Sequence, residues 1–364
     1  MGTSLDHDVA GLFAVGFQGT TASPEVLDLI RRGVYGVILF GRNVESAEQV
    51  AALVAELKAA AGRPLLVSID QEGGRVARLR APQGFTELPP MRAVGATGDE
   101  ALAHEVGALL GRELRAVGVD QDYAPVVDVD TNPANPVIGD RSFSRDPREV
   151  ARMGTAVARG LQSAGVAACA KHFPGHGDTS QDSHTHLPRL PHGLDRLREV
   201  ELVPFRALAA AGVASVMTAH VVFEALDPRR PATLARAVLA LLRQDCGFDG
   251  CVISDDLEMK AVAEHFPLEE TVPASLAAGV DALLVCHRAD VQHRAIDLAR
   301  DAVEDGRVGR ERLSEARRRV AALLRWAGPA PDPRTVKARL RTADHLALAA
   351  RVPRLETGKD PTVA

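Results

Sequence analysis

The chain has 364 residues, 46% of them hydrophobic but only 4% aromatic, so a sizeable core is possible and Val, Leu, Ile and Ala must fill it. Lys and Arg number 43 against 48 Asp and Glu, a net charge of −5 with both signs spread along the chain. The lack of a basic block argues against nucleic acid or an anionic membrane as a partner, and no stretch reaches the ~18 apolar residues of a membrane span.

The first segment, "MGTSLDHDVAGLFAVGF", lacks the positive start and long apolar core of a signal peptide. Asp6 stands where an N-myristoylation site wants Ser or Thr. The four cysteines, Cys169, Cys246, Cys251 and Cys286, match no zinc-ribbon spacing, and three lie in strand-like apolar runs. They read as reduced core thiols, and the chain as cytoplasmic.

Eight short apolar runs follow one another: "GLFAVGF" (11–17), "VYGVILFG" (34–41), "PLLVSID" (64–70), "VGVDQDYAPVVDV" (117–129), "GVAACAKHF" (165–173), "ASVMTAH" (214–220), "GCVISDD" (250–256) and "DALLVCH" (281–287). Most are continuous rather than alternating, as expected of strands buried on both faces of a parallel sheet. Helical stretches separate them. "SPEVLDLIRRG" has Ser23 as N-cap, Pro24 in the first turn and Gly33 as stop. In "SAEQVAALVAELKAA", Ser46 and Gln49 form a capping box, and Val50, Leu53, Val54 and Leu57 form one apolar stripe. "DRLREVELVPFRALAAAG" and "RPATLARAVLALLRQDCG" follow the same logic. Eight strand–helix pairs predict an α/β fold, a single-domain (β/α)8 TIM-type barrel over residues 1–328. A doubly wound open sheet is the alternative, but no G-x-G-x-x-G follows the first run. Residues 329–364 read as a Pro-led linker, one peripheral helix and a disordered end, "ETGKDPTVA".

In such a barrel the chemistry lies at the C-terminal ends of the strands. Polar groups gather there: Asp70 and "QEGGRVAR" after run 3, "NPVIGDRSFS" after run 4, "KHFPGHGD" after run 5, His220 after run 6, "SDD" in run 7 and His287 in run 8. Together they imply a polar pocket for a hydroxyl-rich ligand. Each also has a plainer reading. Asp70 can cap a helix, and Arg78 can be a solvated surface residue. Arg141 can staple a loop through Asp140 or Asp146, and Lys171 and His172 can be structural. One of Asp255 and Asp256 can cap a helix, and His220 and His287 can be pocket walls.

The loop "KHFPGHGDTSQDSHTH" allows a metal site through Asp182, His184 and His186, but its spacing fits no H-E-x-x-H or other familiar ligand set. A proton-transfer reading is sharper. Asp182 and His184 are two apart, so the carboxylate can fix the tautomer and basicity of the imidazole and make it a general acid/base. Asp255, at the end of a different strand, offers a nucleophilic carboxylate. That pairing is the apparatus of a retaining glycosidase.

"KHFPGHGDTSQDSHTHLP", "VISDDLEMKA", "SIDQEGGRVARL" and "NPVIGDRSFSRDP" resemble segments of the bacterial β-N-acetylhexosaminidases of glycoside hydrolase family 3, over roughly residues 8–328. The resemblance implies the barrel, a hexosaminidase activity, Asp255 as nucleophile and an Asp182–His184 acid/base carried on a loop of the barrel. It also implies sugar-binding roles for Asp70, Arg78, Arg141, Lys171 and His172, with no metal and no organic cofactor. The implied substrate is a terminal β-linked N-acetylglucosamine on a cell-wall muropeptide, handled by a monomer or weak homo-oligomer. His287 departs from the small polar residue expected there. Three alternatives stay open: a phosphorylase on the same fold, a metal-dependent hydrolase and a non-catalytic sugar-binding protein.

Overall fold

The computed structural model describes residues 4–181, 186–355 and 360–361. Each of the eight apolar runs supplies one strand: β1 (Phe13–Val15), β2 (Gly36–Leu39), β3 (Leu66–Ile69), β4 (Gln121–Asp122), β5 (Ala167–Phe173), β6 (Ser215–Thr218), β7 (Cys251–Asp256) and β8 (Ala282–Val285). They pair in parallel in chain order, and β1 pairs with β8 to close the barrel. The fourth run is less of a strand than its apolar length suggests. Pro125 lacks a ladder donor, and beyond Asp122 only a bridge from Val126 to Lys171 continues the pairing.

The helices between the strands form where their caps and stripes predict. Ser23 caps Pro24–Arg32, and Ser46 caps Ala47–Ala61 by accepting from the Gln49 N–H at 3.2 Å. The return bond differs from a standard capping box, because the Gln49 side chain accepts from Glu45 N–H instead. Val50, Leu53, Val54 and Leu57 are all buried against the barrel. The four cysteines are buried and free.

The two rims of the barrel have different jobs. At the strand starts, Asp120 accepts from Val67 N–H at 2.9 Å and Asp281 from Val252 N–H at 3.0 Å. Lys58 and Arg115 neutralise Asp120, while Arg243, Arg312 and Arg319 neutralise Asp281. Both carboxylates are fully buried, so these bonds replace the hydration that burial removes. This rim holds neighbouring strands together, and the opposite rim is formed by the strand ends.

Two strands reach that opposite rim with an extra residue. Between β5 and β6, Ala170 faces Val216 but Phe173 faces Thr218. Between β7 and β8, Ile253 faces Ala282 but Asp256 faces Leu284. Three steps on one strand thus match two on its partner, which is a bulge in each case. After the barrel, the helix Ala343–Arg351 packs on the helix Glu100–Ala116, with His345 Nδ1 2.8 Å from Glu113 Oε1. Among the described residues, no helix is long and apolar enough to cross a membrane.

Candidate active site

At the C-terminal rim one cavity is lined by Asp70, Arg78, Arg141, Lys171, His172 and Asp255, together with Phe40, Asp256, Met259 and His287. Six of the residues singled out in the sequence therefore meet in one place. Asp182 and His184 lie outside the described residues.

A hairpin after β3 delivers the first two. Gln71–Gly73 pairs antiparallel with Val76–Ala77. Gly73 and Gly74 make the turn at φ +92° and +59°, and a Cβ on Gly74 would sit 2.7 Å from Pro90. Gln71 then ties the hairpin shut. Its Oε1 accepts from the N–H groups of Arg78 and Leu79 at 2.9 and 3.0 Å, and its Nε2 donates to Leu79 O at 2.8 Å. The hairpin thus aims Arg78 inward. Its side chain is only 4% exposed, with Nη2 3.4 Å from Asp70 Oδ2 and Nη1 2.6 Å from Asp360 Oδ2. The surface reading of Arg78 and the helix-cap reading of Asp70 both give way, because Asp70 faces Lys171 Nζ at 2.7 Å.

Glu72 is a residue the sequence reading passed over. Its carboxylate takes both Nε and Nη2 of Arg141 at 2.8 Å and lies 2.6 Å from Lys171 Nζ. Arg141 therefore does not staple its loop through Asp140 or Asp146. Asp140 is taken instead by Arg75 at 2.7 Å. Burial alone would push the Glu72 carboxyl up, but the Arg141 and Lys171 cations outweigh it and hold it far below the usual range. Asp70 is likewise lowered, burial being overcome by Lys171 and Arg78. Burial disfavours the charged Lys171, yet Asp70 and Glu72 win and keep it protonated far into alkali.

Asp128 is the second residue missed. It is fully buried within the fourth run. Its Oδ2 is 2.7 Å from His172 Nδ1, and its Oδ1 accepts from His176 N–H at 2.7 Å. Burial raises its carboxyl, but the His172 imidazole and its own hydrogen bonds prevail, so Asp128 stays ionised. An ionised carboxylate only accepts, so Nδ1 of His172 carries the hydrogen and Nε2 is left for the cavity. His176 is buried against the His172 ring, with Nδ1 2.8 Å from Thr179 Oγ1. Burial and the neighbouring His172 push it down to about 4. It is therefore neutral near pH 7 and ill suited to donate a proton.

Across the cavity, β7 presents two adjacent carboxylates that behave differently. Asp255 is partly exposed, and its Oδ1 accepts from Asp256 N–H at 2.8 Å. Asp256 Oδ1 accepts from Glu258 and Cys286 N–H at 3.1 and 3.2 Å, and its Oδ2 lies 3.0 Å from His287 Nε2. Asp256 is committed to the following turn and to β8. The Asp256 hydrogen bond raises the half-exposed His287, outweighing its desolvation. His220 sits behind, with Nε2 3.0 Å from the Asp256 carbonyl. The cavity therefore brings a partly exposed carboxylate together with cationic side chains fixed by buried carboxylates. That arrangement suits attack on a polar ring whose hydroxyls are held from one side. Among the described residues, no cluster of three or more His, Cys, Asp or Glu side chains is arranged to hold a metal ion.

Comparison with known proteins identifies the family. The model of the "Glycosyl hydrolase family 3 N terminal domain" matches residues 4–323. A β-hexosaminidase of Thiobacillus denitrificans is 47% identical over 265 residues, 71% of this chain and 73% of that protein. The structure of a glycoside hydrolase family 3 β-N-acetylglucosaminidase from Paenibacillus sp. superposes with a TM-score of 0.89 at 42% identity, covering 96% of this chain and 68% of that one. NagZ from Neisseria gonorrhoeae, in complex with N-trifluoroacetyl-D-glucosamine, superposes at 0.78 with 35% identity over 94% of this chain and 97% of that one. The match runs from the first helix through the last helix around the barrel and takes in every strand that bears on the cavity; the chain belongs to glycoside hydrolase family 3.

Proposed function

We propose that the protein is a retaining exo-β-N-acetylglucosaminidase that removes terminal β-linked N-acetylglucosamine. The observation that carries this reading is that Asp255 lines one cavity with Asp70, Arg78, Arg141, Lys171 and His172. The related Neisseria protein, solved with an N-acylated glucosamine, supports the sugar assignment. In this reading Lys171, Arg78 and Arg141 donate to hydroxyls of the sugar in the cavity, and Asp70 accepts from them. Charge-assisted bonds of this kind are roughly twice as strong as neutral ones. Glu72 keeps Arg141 and Lys171 aimed, and Asp128 keeps the His172 ring aimed, before the sugar arrives, which lowers the cost of ordering them on binding.

Asp255 attacks the anomeric carbon and forms a covalent glycosyl-enzyme. His184, protonated, gives its proton to the leaving oxygen, and Asp182 stabilises the imidazolium. The neutral His184 then takes a proton from water as the water oxygen bonds to the anomeric carbon, the bond to Asp255 breaks, and the sugar leaves with its configuration retained. The roles of Asp182 and His184 rest on the sequence and the family, because both residues lie outside the described structure. The chemistry calls for no metal or organic cofactor. The proposed natural substrate is a muropeptide, in which the leaving group is an N-acetylmuramic or anhydromuramic residue, and the proposed setting is cell-wall recycling in the cytoplasm.

The test is hydrolysis of a chromogenic β-N-acetylglucosaminide beside the matching β-glucoside, with products identified in phosphate buffer. Cleavage of the first alone, to free sugar, is expected. Equal cleavage of both would refute the acetamido preference. N-acetylglucosamine 1-phosphate as main product would replace hydrolysis by phosphorolysis.

A further inference from the structure

Arg78 has a partner that the sugar-binding reading does not use. Asp360, beyond the last helix, places Oδ2 2.6 Å from Arg78 Nη1, whereas Asp70 is 3.4 Å from Nη2. The pair is largely shielded from water, Asp360 being 15% and Arg78 4% exposed. The route to this contact begins at an anchored element. Arg341 N–H and His345 Nδ1 both bond Glu113 Oε1 at 2.8 Å, and Leu348 and Val352 are buried. A groove of about 730 Å³ separates residues 341–355 from the hairpin that aims Arg78. That helix ends at Arg351, nine residues before Asp360 in the chain.

We propose that Asp360 is an internal competitor of the sugar, its carboxylate occupying Arg78 until a ligand displaces it. The proposal rests on the reading of Arg78 as a sugar ligand. A carboxylate forms a stronger bond with a guanidinium than a neutral hydroxyl does. Its tether also gives it an effective concentration in the millimolar range, above that of a dilute sugar. Arg78 lines the cavity beside Asp255, so a carboxylate on its guanidinium engages one of the groups the sugar would use. The apparent sugar affinity is then the intrinsic affinity reduced by the fraction of molecules with Asp360 withdrawn.

The experiment compares Asp360→Asn and Asp360→Ala with the unsubstituted protein on a chromogenic β-N-acetylglucosaminide. Asp344→Asn, an exposed change on the preceding helix, serves as control. If Asp360 is in place in about 70–90% of molecules, KM falls about 3- to 10-fold in both Asp360 variants. The turnover number stays within about two-fold, and the control does not move. An unchanged KM overturns the proposal. A raised KM also overturns it, by making Asp360 a sugar ligand instead. A second readout needs no turnover. The four native cysteines are buried, so a dye on Pro361→Cys reports the segment alone. Its anisotropy should fall on adding Asp360→Asn, and also on saturating the protein with N-acetylglucosamine. Equal anisotropy with and without Asp360→Asn overturns the contact itself. Failure to cleave any glycoside would instead count against the proposed function and leave the anisotropy result standing.

Discussion

Asp128→Asn isolates the part that a buried, non-contacting residue plays in sugar binding. The native carboxylate accepts from His172 N–H at 3.2 Å, His172 Nδ1 at 2.7 Å and His176 N–H at 2.7 Å. Asparagine has nearly the same shape but only one acceptor oxygen. If that oxygen keeps the His176 N–H, the new amide N–H points at His172 Nδ1. The ring must then carry its hydrogen on Nε2, so Asp128 no longer sets the hydrogen-bonding pattern that His172 presents to the cavity. A hydrogen bond to a charged partner contributes about 1.5–3 kcal/mol net, which predicts a loss of about 10- to 100-fold in kcat/KM. The loss should fall mainly on KM, since Asp128 lies behind a binding group and not beside Asp255. Initial rates on a chromogenic β-N-acetylglucosaminide, read alongside a urea melt, decide the point. A variant that unfolds earlier but keeps KM within two-fold would refute the positioning role and leave Asp128 a purely structural residue.

Glu72→Gln should cost about 3–5 kcal/mol of stability, because it leaves Arg141 and Lys171 buried with one anion fewer; an unchanged urea midpoint would contradict the geometry. His176 makes stability depend on pH. Burial and the neighbouring His172 lower its folded pKa to about 4, from about 6.5 for a solvated imidazole. The unfolded chain alone therefore binds this proton between those values, so the contribution is full above pH 6.5 and about 3 kcal/mol smaller by pH 4. The stability gap between the native protein and His176→Gln should narrow across that window, and a constant gap would refute it. Asp255→Ala should abolish turnover of every substrate, and a 2-fluoro or 5-fluoro glycoside should label Asp255; an adduct on Asp256 would reverse the assignment. His184→Ala should slow sugar leaving groups by about 10²- to 10⁴-fold and dinitrophenyl glycosides least. Equal slowing of all leaving groups would make His184 a binding residue.

The barrel was legible because its strands are buried on both faces and so appear as unbroken apolar runs. The helices were legible from local chemistry, as at Ser23 and Ser46. The site was harder, since a charged side chain in a loop looks alike whether it faces water or a cavity. Arg78 reads as a surface residue until Gln71, seven residues away, is seen folding the hairpin back through its side chain. Glu72 lies in "SIDQEGGRVARL", and a carboxylate just after a buried strand is a usable signal. Asp128 gave a clearer one: an acid within "APVVDVD" must have a buried partner. That partner, His172, is 44 positions away, a distance no local pattern spans.

The extra residues in β5 and β7 bear on how much chemistry a barrel rim can hold. A regular strand turns alternate side chains inward, so each ordinarily lends one group to the mouth at a given level. Here Lys171 and His172 are neighbours in sequence, as are Asp255 and Asp256, and all four line the same cavity. The offsets beside them occur on both strands at the point where those pairs stand. Each strand so contributes twice, and four groups crowd onto two of the eight staves. Such crowding lets an eight-stranded mouth surround a single sugar ring with cations and carboxylates without widening the barrel. It also makes strand length, and not only residue identity, a determinant of the chemistry. Taking one residue out of either strand would restore simple alternation, keep the ladder intact and turn one of each pair away from the ring.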